Sequence, residues 1–187
     1  MTKVVIIAEA GVNHNGDLNK AIELVKIAAD AGADYVKFQT FKTELNISKI
    51  AKKADYQEKN TGKSESQYEM VKKLELSFDD FLVIEKKCKE LNIGFMSTGF
   101  DIPSIDFLDS LKPKYYKIPS GEITNKPYLE YVGKVAEEII LSTGMANIEE
   151  IKEAVKILEK SGVKKKNITI LHCNTEYPTP YEDVNLL

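Results

Sequence analysis

The sequence predicts an α/β fold of the (β/α)-barrel type, and two observations carry that expectation. Short β-rich runs alternate with longer amphipathic stretches along the chain, the pattern of parallel strands joined by right-handed helical crossovers. Polar residues also gather where each β-rich run ends: Glu9, Gln39 and Thr40, Ser97 and Thr98, Ser120 and Glu122, Ser142 and Thr143, His172 and Asn174. The C-terminal ends of the strands are where a barrel places its chemistry. A doubly wound open sheet is the competing reading of the same alternation. No GxGxxG comes after the first run, which leaves the dinucleotide-binding form of that fold without its phosphate loop.

The strand runs are Val4–Glu9, Tyr35–Thr40, Gly94–Thr98, Tyr115–Ile118, Glu138–Ser142 and Ile168–His172. Between them apolar residues recur near a period of 3.6, as in Ala21, Leu24, Val25 and Ala28, or Ile151, Val155 and Leu158, and predict helices. Gly32 and Gly162 fall where left-handed helix caps are expected ahead of the next strand. A (β/α)8 barrel needs about eight strands, and the chain supplies only the first six or so β/α units. The expectation is therefore the N-terminal part of a longer polypeptide. Between Thr40 and Ser77 runs a polar, lysine-rich excursion with only short helical patches. An interruption of that length inside a compact domain reads as an active-site loop or lid, with a solvated insertion as the alternative.

Composition narrows the function classes. The 187 residues are 43% hydrophobic and carry a net charge of −3, enough apolar material for a core and too little positive charge for a nucleic-acid surface or a polybasic membrane anchor. The apolar run at the N-terminus is too short for a signal peptide or a membrane span. Cys88 and Cys173 are far apart and belong to no CxxC or Cys/His cluster, so a reduced, cytoplasmic protein is the default. All 26 basic residues are lysine. Any bound anion must be held by ammonium groups, hydroxyls, amides and backbone N–H, without a bidentate guanidinium fork.

Phosphate recognition is the first chemical signal. Lys37 in VKFQTFK and Lys117 in KIPSGE occupy alternating strand positions that can point inward, where a lysine is costly without a counter-charge. Ser97–Thr98–Gly99, Ser120–Gly121 and Ser142–Thr143–Gly144 repeat a hydroxyl–glycine tip, in which small residues let backbone N–H groups approach an anion and hydroxyls add donors. Glu9 and Glu122 are the carboxylates of this neighbourhood, either charge partners for the lysines or proton-moving groups. Glu122 is the better acid–base candidate because it lies beyond its strand. A lysine at a strand tip also fits a Schiff-base aldolase, and that alternative stays open here. His14 reads as part of a turn ahead of a helix capped by Asp17. His172 reads as a hydrogen-bonded support residue, and Cys173 lacks an activating base other than His172. Tyr177, in a proline-stiffened loop, is a candidate surface for a sugar face.

The segments AEAGVNHNGD, VKFQTFK, STGFD, KIPSGEITN, ILSTGM and LHCNTEYPTPYEDVNL, in this order and spacing, resemble the N-acetylneuraminate (sialic acid) synthase family, which includes synthases of legionaminic and pseudaminic acids. The resemblance runs over nearly the whole chain. It implies a (β/α)8 barrel followed by a small antifreeze-like C-terminal domain in a homodimer, with residues 1–187 forming a truncated barrel domain and the C-terminal domain absent. It implies condensation of phosphoenolpyruvate with an N-acylated mannosamine-type aldehyde sugar, giving a nonulosonic acid and phosphate, with a divalent metal, Mn²⁺ or Mg²⁺, taking part. By the same resemblance Lys37, Thr98, Lys117, Ser120 and Ser142 bind phosphoenolpyruvate, while Gln39 and Tyr177 face the open-chain sugar. Glu122 is the acid–base residue and Glu9 sits at the centre of the site. Asn174 or its neighbour Thr175 touches the phosphoenolpyruvate; their order is reversed in some members. The family's metal-ligand histidines and its inter-subunit arginine fall beyond Leu187.

Overall fold

The computed structural model of the chain describes residues 4–51, 66–176 and 178–185. The chain divides into two compact units, Met1–Phe107 and Leu108–Leu187. The first holds a parallel sheet of β1 (Ile7–Gly11), β2 (Tyr35–Thr40) and β3 (Gly94–Gly99), in that order. The second holds a parallel sheet of β4 (Tyr116–Ile118), β5 (Ile139–Ser142) and β6 (Ile168–Leu171), again in order. Helices alternate with the strands as the sequence pattern predicts: α1 (Leu18–Asp30), α2 (Thr43–Asn46), α3 (Gln67–Lys72), α4 (Phe78–Glu90), α5 (Ile102–Ser110), α6 (Lys126–Val135) and α7 (Ile148–Ser161).

Local chemistry explains where the helices start and stop. The Asp17 carboxylate accepts the Asn19 N–H at 2.8 Å and caps α1. Reciprocal capping boxes open α4 at Ser77–Asp80 and α7 at Asn147–Glu150, each satisfying two N–H groups that a helix start leaves unpaired. Gly32 and Gly162 come after the helix ends with φ of +77° and +124°, a region that strains other residues.

In the first unit the apolar faces of α1 (Ala21, Val25, Ala28) and α4 (Phe81, Ile84, Cys88) close over Val36 and Phe38 of β2. Phe38 packs edge-on against Phe81 and stacked against Phe95. In the second, Ile118, Leu141, Leu129 and Leu158 are fully buried. Because strand side chains alternate, burying Val36, Phe38 and Thr40 turns Lys37 and Gln39 to the opposite face.

The first strand begins later than the sequence predicts. Val4, Val5 and Ile6 are as β-prone as the residues after them, yet they are exposed and outside the strand. The ladder with β2 opens at Ile7 opposite Tyr35. Ile6 instead donates its N–H to the Asp34 carboxylate, and its carbonyl accepts the N–H groups of Asp34 and Tyr35. At the other end β1 continues through Gly11, with an irregular register between Glu9 and Gly11.

Truncating Phe81, 1% exposed, leaves a cavity. Phe81→Ala is expected to destabilise the chain by about 3–5 kcal/mol, read as a lower urea midpoint at unchanged slope.

Candidate active site

In the first unit the parallel register assembles four of the predicted residues on one sheet face. Glu9 lies opposite Lys37, Gln39 comes two residues later, and Thr98 lies opposite Gln39. Lys37 Nζ and Glu9 Oε2 form an ion pair at 2.5 Å, with the lysine side chain only 12% exposed and the glutamate 52%. The charge that Lys37 needs in order to be withdrawn from water is thus supplied by Glu9. The irregularity in β1 shapes this pair, since bulges re-aim side chains. Gly11 has φ of +54°, and a Cβ there would lie 3.2 Å from Glu9 Oε1 and 3.7 Å from Gln39 Nε2. The glycine therefore leaves the space that the carboxylate and the amide share.

Two carboxylates that the sequence reading passed over hold the chain leaving β2. Asp101, 8% exposed, accepts the Lys42 N–H at 2.7 Å, the Asn46 amide at 2.8 Å and the Ser104 N–H at 2.9 Å. Glu75 accepts the N–H and hydroxyl of Thr43 at 3.0 and 2.8 Å. Lys72 bridges Glu75 and Glu44 at 3.0 and 2.8 Å. Burial alone would push the Glu75 carboxyl up; the Thr43 N–H, the Lys72 ammonium and the Thr43 hydroxyl outweigh it and hold it below its ordinary value. Together these contacts tie the start of the Thr40–Ser77 excursion to its return. The part of the expected lid at residues 52–65 lies outside the described residues. In the sequence Asp101 shows only as the end of the STGFD segment and, three residues before Ser104, as a helix-capping pattern.

His14 is 1% exposed in the turn that leads to Asp17, where the sequence reading places it. Its Nδ1 accepts the Gly16 N–H at 3.0 Å, so the ring proton sits on Nε2, which is buried without a partner among the described residues. Burial holds the imidazole below its ordinary value, against a smaller opposing pull from Asp17.

In the second unit the tips of β4, β5 and β6 form a cradle. Lys117 lies opposite Ile140, so Ser142 shares its face. Lys117 Nζ donates to Ser142 Oγ at 2.6 Å and to the Ile118 carbonyl at 2.8 Å. The Cys173 thiol approaches the same Ser142 Oγ at 3.4 Å. Ser120 Oγ accepts the Gly144 N–H at 2.9 Å, and Thr143 donates its hydroxyl to the Leu171 carbonyl at 2.8 Å. Glu122 lies in a short 3-10 turn beyond β4 and accepts the Asn125 amide at 2.6 Å. Asn174 accepts the Glu176 N–H at 3.1 Å and reaches Asp183 at 3.4 Å, so its amide is engaged within its own loop. His172 accepts the Asn185 N–H at 3.4 Å, a support contact. Tyr177 lies outside the described residues.

Both cysteines are free. Burial, aided by Glu85, pushes the Cys88 thiol up to about 12, which makes it an inert core residue. Among the described residues no group of three His, Cys, Asp or Glu side chains is placed to hold a metal ion. These residues do not by themselves fit the expected divalent ion. Among them, too, no helix is long and apolar enough to cross a membrane.

Comparison with known proteins gives this arrangement a context. The NeuB family model matches residues 24–187. The chain belongs to the NeuB family. Among curated relatives of this NeuB-family chain, the N,N'-diacetyllegionaminic acid synthase of Campylobacter jejuni is 58% identical over 186 residues, covering 100% of this chain and 56% of that protein. The N,N'-diacetyllegionaminic acid synthase of Legionella pneumophila is 50% identical over 183 residues, covering 97% and 51%. The chain thus spans about half the length of the curated relatives it matches. Among solved structures, an N-acetylneuraminic acid (sialic acid) synthetase from Leptospira borgpetersenii, in complex with citrate, superposes with a TM-score of 0.82 at 34% identity, covering 98% of this chain and 59% of that one. The fold class is that of the TIM-type barrel, of which the described residues of this NeuB-family chain carry six strands, the first five each followed by helix.

Protonating His14 is expected to destabilise the fold. Its folded pKa lies below the unfolded value of about 6.5, so the unfolded chain binds the extra proton first. Stability is then complete above that value and is lost as pH falls from it toward the folded pKa. His14→Asn keeps an acceptor for the Gly16 N–H and is expected to flatten the decline in urea midpoint between about pH 7 and pH 5.

Proposed function

We propose that the polypeptide carrying this chain condenses phosphoenolpyruvate with an N-acylated amino-sugar aldehyde, giving a nonulosonic acid and inorganic phosphate. The observation that carries the reading is the ammonium–hydroxyl cradle of Lys117, Ser142 and Ser120 in a chain of the NeuB family. Identity of 58% and 50% to two N,N'-diacetyllegionaminic acid synthases favours a di-N-acetylated sugar of the legionaminic type over N-acetylmannosamine. A Schiff-base role for the lysines is less well supported. Lys37 is engaged in an ion pair and Lys117 in two donated hydrogen bonds, which suits binding of negative charge better than nucleophilic attack by an amine.

Each residue of the site has a part in this chemistry. Lys117, Ser120 and Ser142 hold the phosphate and carboxylate of phosphoenolpyruvate; the family resemblance assigns Lys37 and Thr98 to the same ligand and Gln39 and Tyr177 to the sugar. The C3 carbon attacks the aldehyde carbon, the aldehyde oxygen takes up a proton, and positive charge is left at C2. Fixed ammonium groups and hydroxyl dipoles keep the anionic groups in place through this change of charge. Water adds at C2 and loses a proton, for which Glu122 is the base or the orienting group. The resulting hemiketal phosphate breaks its C–O bond, releasing phosphate and leaving a ketone at C2. Glu9 supports Lys37 in this scheme. A divalent ion, when bound, supplies Lewis acidity; its histidine ligands, an antifreeze-like domain and a homodimeric partner belong to the longer polypeptide of this proposal.

A phosphate-release assay with phosphoenolpyruvate, Mn²⁺ and a panel of N-acylated sugars tests the reading on the complete polypeptide. Glu122→Gln is expected to lower turnover by about 10²–10⁴-fold with phosphoenolpyruvate affinity near normal. An equal loss of both would reduce Glu122 to a charge partner. A covalent lysine adduct trapped by borohydride would favour the aldolase.

A further inference from the structure

We propose that Gly144 is a positioning residue of the anion pocket, and this rests on the reading that the tips of β4–β6 bind phosphoenolpyruvate. Its N–H turns the Ser120 hydroxyl into a committed donor toward the bound anion, and its bare Cα admits the loop after β6 to the same spot. A hydroxyl donates once and accepts up to twice. The Gly144 N–H reaches Ser120 Oγ at 2.9 Å, so the backbone occupies the accepting side and the hydroxyl proton points elsewhere, with no acceptor among the described residues. Ser142 is treated alike by Lys117, whose Nζ donates to its oxygen at 2.6 Å. Thr143 shows the contrary case: its proton is spent on the Leu171 carbonyl at 2.8 Å. Of the three hydroxyls, Ser120 and Ser142 are therefore the ones kept as donors for an anion.

Steric crowding acts at the same position. A Cβ on residue 144 would stand 2.7 Å from Thr175 Cγ2, 3.0 Å from Ser120 Oγ and 3.4 Å from the Asn174 carbonyl carbon. A real Cβ does not sit 2.7 Å from a methyl, so an alanine must turn the Thr175 side chain aside and crowds the Ser120 hydroxyl by a few tenths of an ångström. Glycine at this position leaves the Ser120 hydroxyl and the Thr175 side chain where the cradle has them.

The test is calorimetric titration of the complete polypeptide carrying this chain with phosphoenolpyruvate, and with inorganic phosphate as a second probe, for the native sequence and variants. Ser120→Ala and Gly144→Ala are each expected to weaken binding about tenfold, the scale of one hydrogen bond to a charged group, and the double variant to be no weaker than either. Equal cost of Gly144→Ala with and without Ser120 would overturn the proposal. So would full recovery of affinity in Gly144→Ala/Thr175→Ser relative to Thr175→Ser alone, since only the methyl contact is relieved there. If Gly144→Ala does not fold, the amide resonance of Gly144 gives an independent readout. Saturating phosphoenolpyruvate is expected to shift it in the native sequence and not in Ser120→Ala; a shift that persists in Ser120→Ala sinks the proposal. No binding of either probe to the native chain would remove the anion-pocket reading itself, and the role of Gly144 with it.

Discussion

Lys117 and Ser142 are 25 residues apart in the chain, and they touch because β4 and β5 pair in parallel with Lys117 opposite Ile140. Two residues beyond Ile140, Ser142 projects from the same face just past the lysine. A slip of one residue would send it to the other side and break the contact. The same logic governs the first unit, where an in-step ladder between β2 and β3 puts Thr98 beside Gln39. Strand register is thus a condition for these contacts. The register in turn is set by what lies beneath it, since Val36 and Phe38 are committed to the core under α1 and α4.

With no arginine in the chain, the positive charge at these strand ends is all ammonium. An ammonium offers three rotatable donors and no fixed fork, so direction has to come from its surroundings. Lys117 gains it from Ser142 and the Ile118 carbonyl, and Lys37 from Glu9. The hydroxyls gain theirs from the groups that donate to them. The outcome is a set of donors whose orientation is settled by neighbours and does not depend on the shape of a planar cation.

Much of this was legible in the sequence, for reasons specific to each element. Helix starts at Asp17, Ser77 and Asn147 carry their own caps, and alternation alone marks Lys117 as able to point inward, whereas its meeting with Ser142 depends on the ladder between two strands. The start of β1 could not, because Val4–Ile6 and the strand residues after them have the same composition and only a ladder partner separates them. Asp101 and Glu75 escaped for a related reason. Their decisive contacts reach back 59 and 32 residues, and locally Asp101 looks like an ordinary helix cap and Glu75 like one more charge in a polar stretch. Asn174 shows the limit of resemblance, which leaves open whether it or Thr175 meets the anion, while its amide is occupied in its own loop.

The knot formed by Thr43, Glu75 and Lys72 has a bearing on how this part of the molecule can diversify. Because the two ends of the intervening chain are fastened to one another at the root, residues can be gained, lost or exchanged in between at a closure entropy that grows only with the logarithm of length. The strand tips would not register the change. A scaffold organised this way can vary that stretch while the ladder that keeps Lys37, Gln39 and Thr98 in step stays as it is.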